Sequence, residues 1–89
     1  MYLHLGQETV VKTEDIVGIF DLDTSTVSAS TRDYLAKAER AGEVITITDE
    51  LPKSFVVVKN KKDRTKTVYI SQISSSTLQK RSMAGFRYF

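Results

Sequence analysis

Between positions 59 and 66 the chain reads Lys59-Asn60-Lys61-Lys62-Asp63-Arg64-Thr65-Lys66, five cations and one carboxylate in a single short run. Lysine and arginine at this density do one kind of chemistry well. They neutralise phosphates, and each phosphate covered releases condensed counterions. The run is flanked by Phe55 to Lys59 and Thr67 to Ser71, both β-rich, which places the cations on the tip of a hairpin. A stiff ribbon of that kind can enter a groove or straddle a phosphate backbone. The plain alternative is a solvated loop whose lysines blunt the strand edges. Charge distribution weighs towards function. Residues 1–50 carry four bases against ten acids, a net of −6, whereas 51–89 carry nine bases against Asp63 alone, a net of +8. A field polarised in this way suits an acidic partner, or copies of the chain docking acid against base.

Other candidates carry less. Arg32, Lys37 and Arg40 share a helix with Asp33, Glu39 and Glu43, where pairing three or four residues apart is the default. Arg32 is the exception, since it lies in the first helical turn, whose main-chain N–H groups also face anions. The aromatic Phe86-Arg87-Tyr88-Phe89 could stack on bases, but packing or fraying is the commoner fate of a chain end. His4 is the single histidine and sits between Leu3 and Leu5, which gives it a structural or edge role before a catalytic one. Glu14 with Asp15, and Asp21 with Asp23, lie in loops with no glycine-rich phosphate cradle and no metal-ligand spacing nearby. The expectation is therefore a protein that binds and does no catalysis, with no cofactor, no metal and no small-molecule substrate.

The elements that must position the cations follow from the apolar pattern. Tyr2, Leu3 and Leu5 open a strand, Gly6 to Glu8 turn, and Thr9 to Lys12 complete a first hairpin. Ile16-Val17-Gly18-Ile19-Phe20 is apolar on both faces, which predicts a central strand. Asp21 to Ser28 is a polar connection. Ser30 to Asp33 reads as a capping box that opens a helix running to Ala41, with Tyr34, Leu35, Ala38 and Ala41 on its buried face and Gly42 as its left-handed C-terminal residue. Val44 to Thr48 alternates as a strand, and Asp49 to Lys53, with Pro52, breaks it. One of Ser74 to Thr77 caps a short last helix through Leu78 to Arg81, and Ser82 begins a tail. The class is α+β: a small antiparallel β-sheet domain with one main helix and a short C-terminal helix. It forms one domain over 1–82, with residues 83–89 as tail.

Size and composition narrow the setting. A chain of 89 residues buries only roughly 60 to 65% of its unfolded surface, so self-association would add useful stability. With no cysteine, disulfides and thiolate metal sites are out of reach, which favours a reducing cytoplasm. The longest purely apolar run, Phe55 to Val58, is far short of the roughly 18 residues a membrane span needs, so no membrane partner is expected.

Taken in order, Leu3-His4-Leu5-Gly6, Val10-Val11, the strand Ile16 to Phe20, the helix closed by Gly42, Phe55-Val56-Val57-Val58, Val68-Tyr69-Ile70-Ser71, and Thr77 with Arg81 form a set that resembles the extracellular matrix regulator RemA/RemB family of Bacillota, and most of all its RemB (YaaB-like) branch. The likeness spans about residues 1–82. It implies a DNA-binding transcription regulator of biofilm-matrix genes, a fold similar to LytTR-type DNA-binding domains, and assembly into a ring-shaped homo-oligomer on double-stranded DNA. The implied contacts transfer unevenly. The arginine pair that precedes the Val-Val-Val strand in RemA-type members falls here on Leu51 and Pro52, leaving Lys53 as the neighbouring base, and an arginine of the early hairpin region falls at Asp15. Arg32 matches a basic position at the helix start, and Arg81 an arginine that follows the threonine matched by Thr77. With Lys59, Lys61, Lys62, Arg64 and Lys66 of the hairpin tip, Lys53, Arg32 and Arg81 make up the expected DNA-contacting set.

Overall fold

The computed structural model describes residues 1–22 and 28–84. In chain order the elements are β1 (Tyr2–Gly6), β2 (Thr9–Lys12), a 3-10 turn over Thr13–Asp15, β3 (Ile16–Asp21), α1 (Ala29–Arg40), β4 (Val44–Thr46), β5 (Ser54–Lys59), β6 (Lys66–Ser71) and α2 (Ser75–Ala84). The connection at 23–27 and the aromatic segment Phe86 to Phe89 lie outside the described residues.

The strands form two sheets: the β1–β2 hairpin, and a four-stranded sheet in the order β3-β5-β6-β4. Antiparallel pairing joins β3 to β5 and β5 to β6, but β4 lies parallel to β6. Consequently β3 and β4 point the same way, and the segment joining them, which contains α1, is a crossover of the length parallel strands require. The β5–β6 hairpin fills the gap between them, giving a split β-α-β arrangement. This corrects the expectation of a purely antiparallel sheet.

Alternation along the two inner strands sorts the core into two faces. Val56 and Val58 of β5 and Tyr69 of β6 join Leu3, Leu5, Val11, Ile47 and Leu78 under the hairpin and α2. On the opposite face Phe55, Val57, Val68 and Ile70 pack with Leu35 and Ala38 of α1. The sheet is thus sandwiched between α1 on one side and the β1–β2 hairpin with α2 on the other.

Two buried serines fasten those layers. Ser71, with no exposed surface, donates from Oγ to the Leu5 carbonyl at 2.6 Å and accepts the Ile73 N–H at 3.0 Å. Its cross-strand neighbour Ser54, equally buried, donates to the Ile73 carbonyl at 2.6 Å. Among the described residues no buried side-chain oxygen or nitrogen lacks a partner.

Instead of lying at the centre of the sheet, β3 forms an edge. Its pairing with β5 steps from Ile16↔Val58 to Gly18↔Val57, so Val17 is the extra residue of a β-bulge. The bulge resets the alternation. Ile16 and Ile19, three apart, both reach the hairpin-side core, while Val17 stays 62% exposed and Phe20 40%. An apolar run on both faces thus arises here from a bulge at a sheet edge and not from burial on both sides. Phe20 lays its ring over Gly18 and stacks on Phe55, with centroids 4.9 Å apart.

Helix ends match the sequence at one terminus and differ at the other. Gly42, at φ 73°, closes α1 as expected: its N–H meets the Glu39 carbonyl at 3.0 Å, and the Glu43 N–H meets the Ala38 carbonyl at 2.9 Å. That pair of bonds is the Schellman arrangement. At the N-terminus the helix begins at Ala29 after Ser28, and Ser30 is already inside the first turn, so the capping box expected over Ser30 to Asp33 does not form. Of the expected buried face Ala38 is buried and Leu35 half-buried, whereas Tyr34 and Ala41 are exposed. Phe55, Val57, Val68, Val44 and Ile70 take up only the stripe of Leu35 and Ala38, which is narrower than the helix sequence offers. Beyond β4, which stops at Thr46, Ile47 is buried and Thr48 half-buried. At the other end of the chain, α2 is longer than expected and runs through Ser82 to Ala84. Ser74 caps it, accepting the Thr77 N–H at 3.3 Å.

Candidate nucleic-acid interface

The cationic tip is a fixed structure. Asn60 closes the turn twice with its main chain, donating to the Thr65 carbonyl at 2.8 Å and accepting the Arg64 N–H at 2.8 Å. Its side chain adds a third bond, with Oδ1 accepting the Lys62 N–H at 2.9 Å. Asp63 Oδ1 accepts from both the N–H and the hydroxyl of Thr65, at 3.0 and 2.7 Å. These side-chain-to-backbone bonds are the reason Asn and Asp favour turns. The Thr65 N–H, and then its hydroxyl, hold the Asp63 carboxyl below its ordinary value. Arg64 takes a left-handed φ of 61°, which lets the chain re-enter β6 in register, with Lys59 opposite Lys66.

The electrostatic result follows directly. The one acid in the run is occupied by Thr65, and all five cations are exposed. Among the described residues none of the five is held in an ion pair. Five positive charges are therefore displayed on a turn whose backbone is fixed by its own Asn and Asp.

Beside the tip lie two open grooves. One, of about 610 Å³, runs from Val10, Val11 and Lys12 across Val58 and Tyr69 to Asn60, Lys61 and Lys62. The other, of about 470 Å³, lies between Ile16 and Val17 and the cations Lys59, Lys61 and Arg64. Glu14 and Asp15, from the 3-10 turn, line both. Lys12 is a cation of this surface that sequence reasoning missed. Its signal was faint: a base ending the first hairpin becomes relevant only once that hairpin packs beside the second.

The remaining expected contacts are dispersed. Arg32 is exposed in the first turn of α1, one residue beyond Thr31, and Thr31 shares an apolar cleft of about 350 Å³ with Lys66. That cleft brings the start of α1 near the base of the ribbon. Lys53 is exposed but precedes β5, so the whole strand, roughly 20 Å at the usual rise, separates it from the tip. Its main chain is engaged, accepting from Leu22 at 3.1 Å and donating to Ser71 at 2.9 Å. Arg81 lies on α2 and makes a long bond of 3.4 Å to the His4 carbonyl, fastening that helix to β1. His4 itself donates from Nε2 to the Gln7 carbonyl at 2.6 Å, within its own turn.

What this surface can do chemically is hold anions. Among the described residues no group of three or more His, Asp or Glu side chains is placed to hold a metal ion. No described helix is long and apolar enough to cross a membrane. The RemA-like family, described as extracellular matrix regulatory protein A-like, matches residues 2–82. The chain therefore belongs to this family of extracellular matrix regulators. Within it the chain falls on the RemB branch: over 86 residues it is 40% identical to the extracellular matrix regulatory protein B of Bacillus subtilis (strain 168), an alignment covering 97% of this chain and 95% of that protein.

Proposed function

We propose that this chain is a cytoplasmic, DNA-binding transcription regulator of biofilm and extracellular-matrix genes, working as a ring-shaped homo-oligomer with an architecture akin to LytTR-type domains. The observation that carries the reading is the tip itself: five exposed cations, none in an ion pair among the described residues, on a turn locked by Asn60 and Asp63. Lys59, Lys61, Lys62, Arg64 and Lys66 contact phosphates, with Lys12 at the groove beside them and Arg32 one residue beyond the Thr31 that shares a cleft with Lys66. Lys53 and Arg81 are separate outlying contacts. A ring supports the chemistry because repeating one modest cationic patch multiplies phosphate contacts through effective concentration, and DNA can bend along the rim.

Reversing charge at Lys61, Lys62 and Arg64 together tests this reading. Duplex DNA should be shifted by the parent protein at low salt and released by the variant, with the mass of the assembly unchanged. A parent protein that leaves duplex DNA unshifted at low salt contradicts it.

The −6/+8 division of charge favours one second reading, a scaffold in which the acidic half of one copy meets the basic half of the next without DNA. Native mass spectrometry separates the two. Under the scaffold reading the triple reversal breaks the assembly itself.

A further inference from the structure

The 3-10 turn Thr13–Asp15 places two carboxylates, Glu14 exposed and Asp15 half-buried, along the same grooves as the tip cations. Lys61 borders both grooves together with the two acids. Neither acid is in an ion pair or hydrogen bond through its side chain among the described residues. They are thus not consumed in neutralising the tip, and they remain as negative charge beside the surface that a polyanion would approach. Such a placement lowers affinity for any partner that offers only anionic acceptors, because like charges are brought together as the grooves fill. A partner that also carries hydrogen-bond donors avoids that penalty. Carboxylates accept from exocyclic amino groups such as cytosine N4, and nucleic acids present those groups between their phosphates.

We infer that the Glu14–Asp15 turn makes the grooves beside the cationic tip two-signed, selecting nucleic acid over polyanions that bring no hydrogen-bond donors. This rests on the polyanion-binding reading above and adds to it a device for discrimination, in which the repulsive element matters as much as the attractive one. The tip supplies attraction to phosphate in general. The turn removes that attraction from uniform acceptors.

The test compares two probes, a random-sequence DNA duplex and inorganic polyphosphate, on the full chain and on a Glu14→Gln/Asp15→Asn variant. Both amides keep an acceptor oxygen and lose the charge. The parent protein should prefer the duplex, and the variant should lose about tenfold of that preference, chiefly by binding polyphosphate more tightly, as expected when like-charge contacts are relieved. A second variant, Glu39→Gln/Glu43→Gln, removes the same charge at the far end of α1, on the other face of the sheet, and should leave the preference unchanged. An unaltered preference in the Glu14/Asp15 variant overturns the inference while leaving DNA binding intact, and so does an equal loss in the Glu39/Glu43 variant. If neither probe binds the parent protein at low salt, the polyanion reading fails, and this inference with it.

Discussion

At the scale of single residues, the tip depends on two short polar side chains that hold backbone and not ligand. Asn60 and Asp63 each accept a main-chain N–H group, and this holds the backbone that carries Lys61, Lys62 and Arg64. Asp63 gives the turn a pH dependence of known sign. Its folded value lies below the ordinary 3.8, so the stabilisation is fully present above that value and is lost as pH falls through the folded value. In an NMR titration the Thr65 amide should move with a midpoint below the ordinary 3.8. A midpoint at or above that value would contradict the assignment. Ser71 is the corresponding residue of the core. Replacing it with Ala leaves the Leu5 carbonyl and the Ile73 N–H without their partner and should cost about 1 to 3 kcal/mol in denaturant unfolding. Neither serine was legible beforehand, because a serine in a strand reads as solvent-facing until the hairpin that covers it is in place.

Individual elements were legible to different degrees, and the reason is range. The β5–β6 hairpin, the first hairpin and the Gly42 stop all rest on neighbours within a few residues, and each stands where the sequence puts it. Position within the sheet does not. Ile16 to Phe20 looks central because it is apolar on both faces, yet the bulge at Val17 turns that pattern into an edge strand with an exposed Val17 and Phe20. Parallel pairing of β4 with β6 is equally invisible locally, since it follows from where α1 delivers the chain. The bulge carries a test of its own. A methyl at Gly18 would meet the Phe20 ring at 2.5 Å, so Gly18→Ala must shift that ring, which stacks on Phe55. We expect a loss of about 1 kcal/mol, the scale of an aromatic pair, and a marked change in the ring-current shifts of Phe55. Unchanged shifts would show that the stack does not depend on the glycine. At the end of α1, Gly42→Ala should cost about 1 kcal/mol, since an L-residue is strained at φ 73°.

For the molecule as a whole, the charge asymmetry was the most legible functional feature, and its arrangement in space the least. A count along the chain gives a basic second half, but it does not reveal that Lys12 shares a groove with the tip, that Glu14 and Asp15 line the same grooves, or that Lys53 and Arg81 stand apart. Those relations exist only after the β1–β2 hairpin, with the turn that follows it, packs beside the β5–β6 hairpin. Five of the nine bases in residues 51–89 fall on the hairpin tip, so the cationic surface is built chiefly there.

Binding of a DNA duplex to the full chain, followed by fluorescence anisotropy across a salt series, addresses the central claim most directly. Backbone neutralisation by the tip predicts log affinity falling linearly with log salt, at a slope of roughly −0.9 per phosphate covered, and a shallower slope once Lys61, Lys62 and Arg64 are reversed. A complex whose affinity ignores salt, or the same slope in parent and variant, would mean that the ribbon tip is not what holds the DNA.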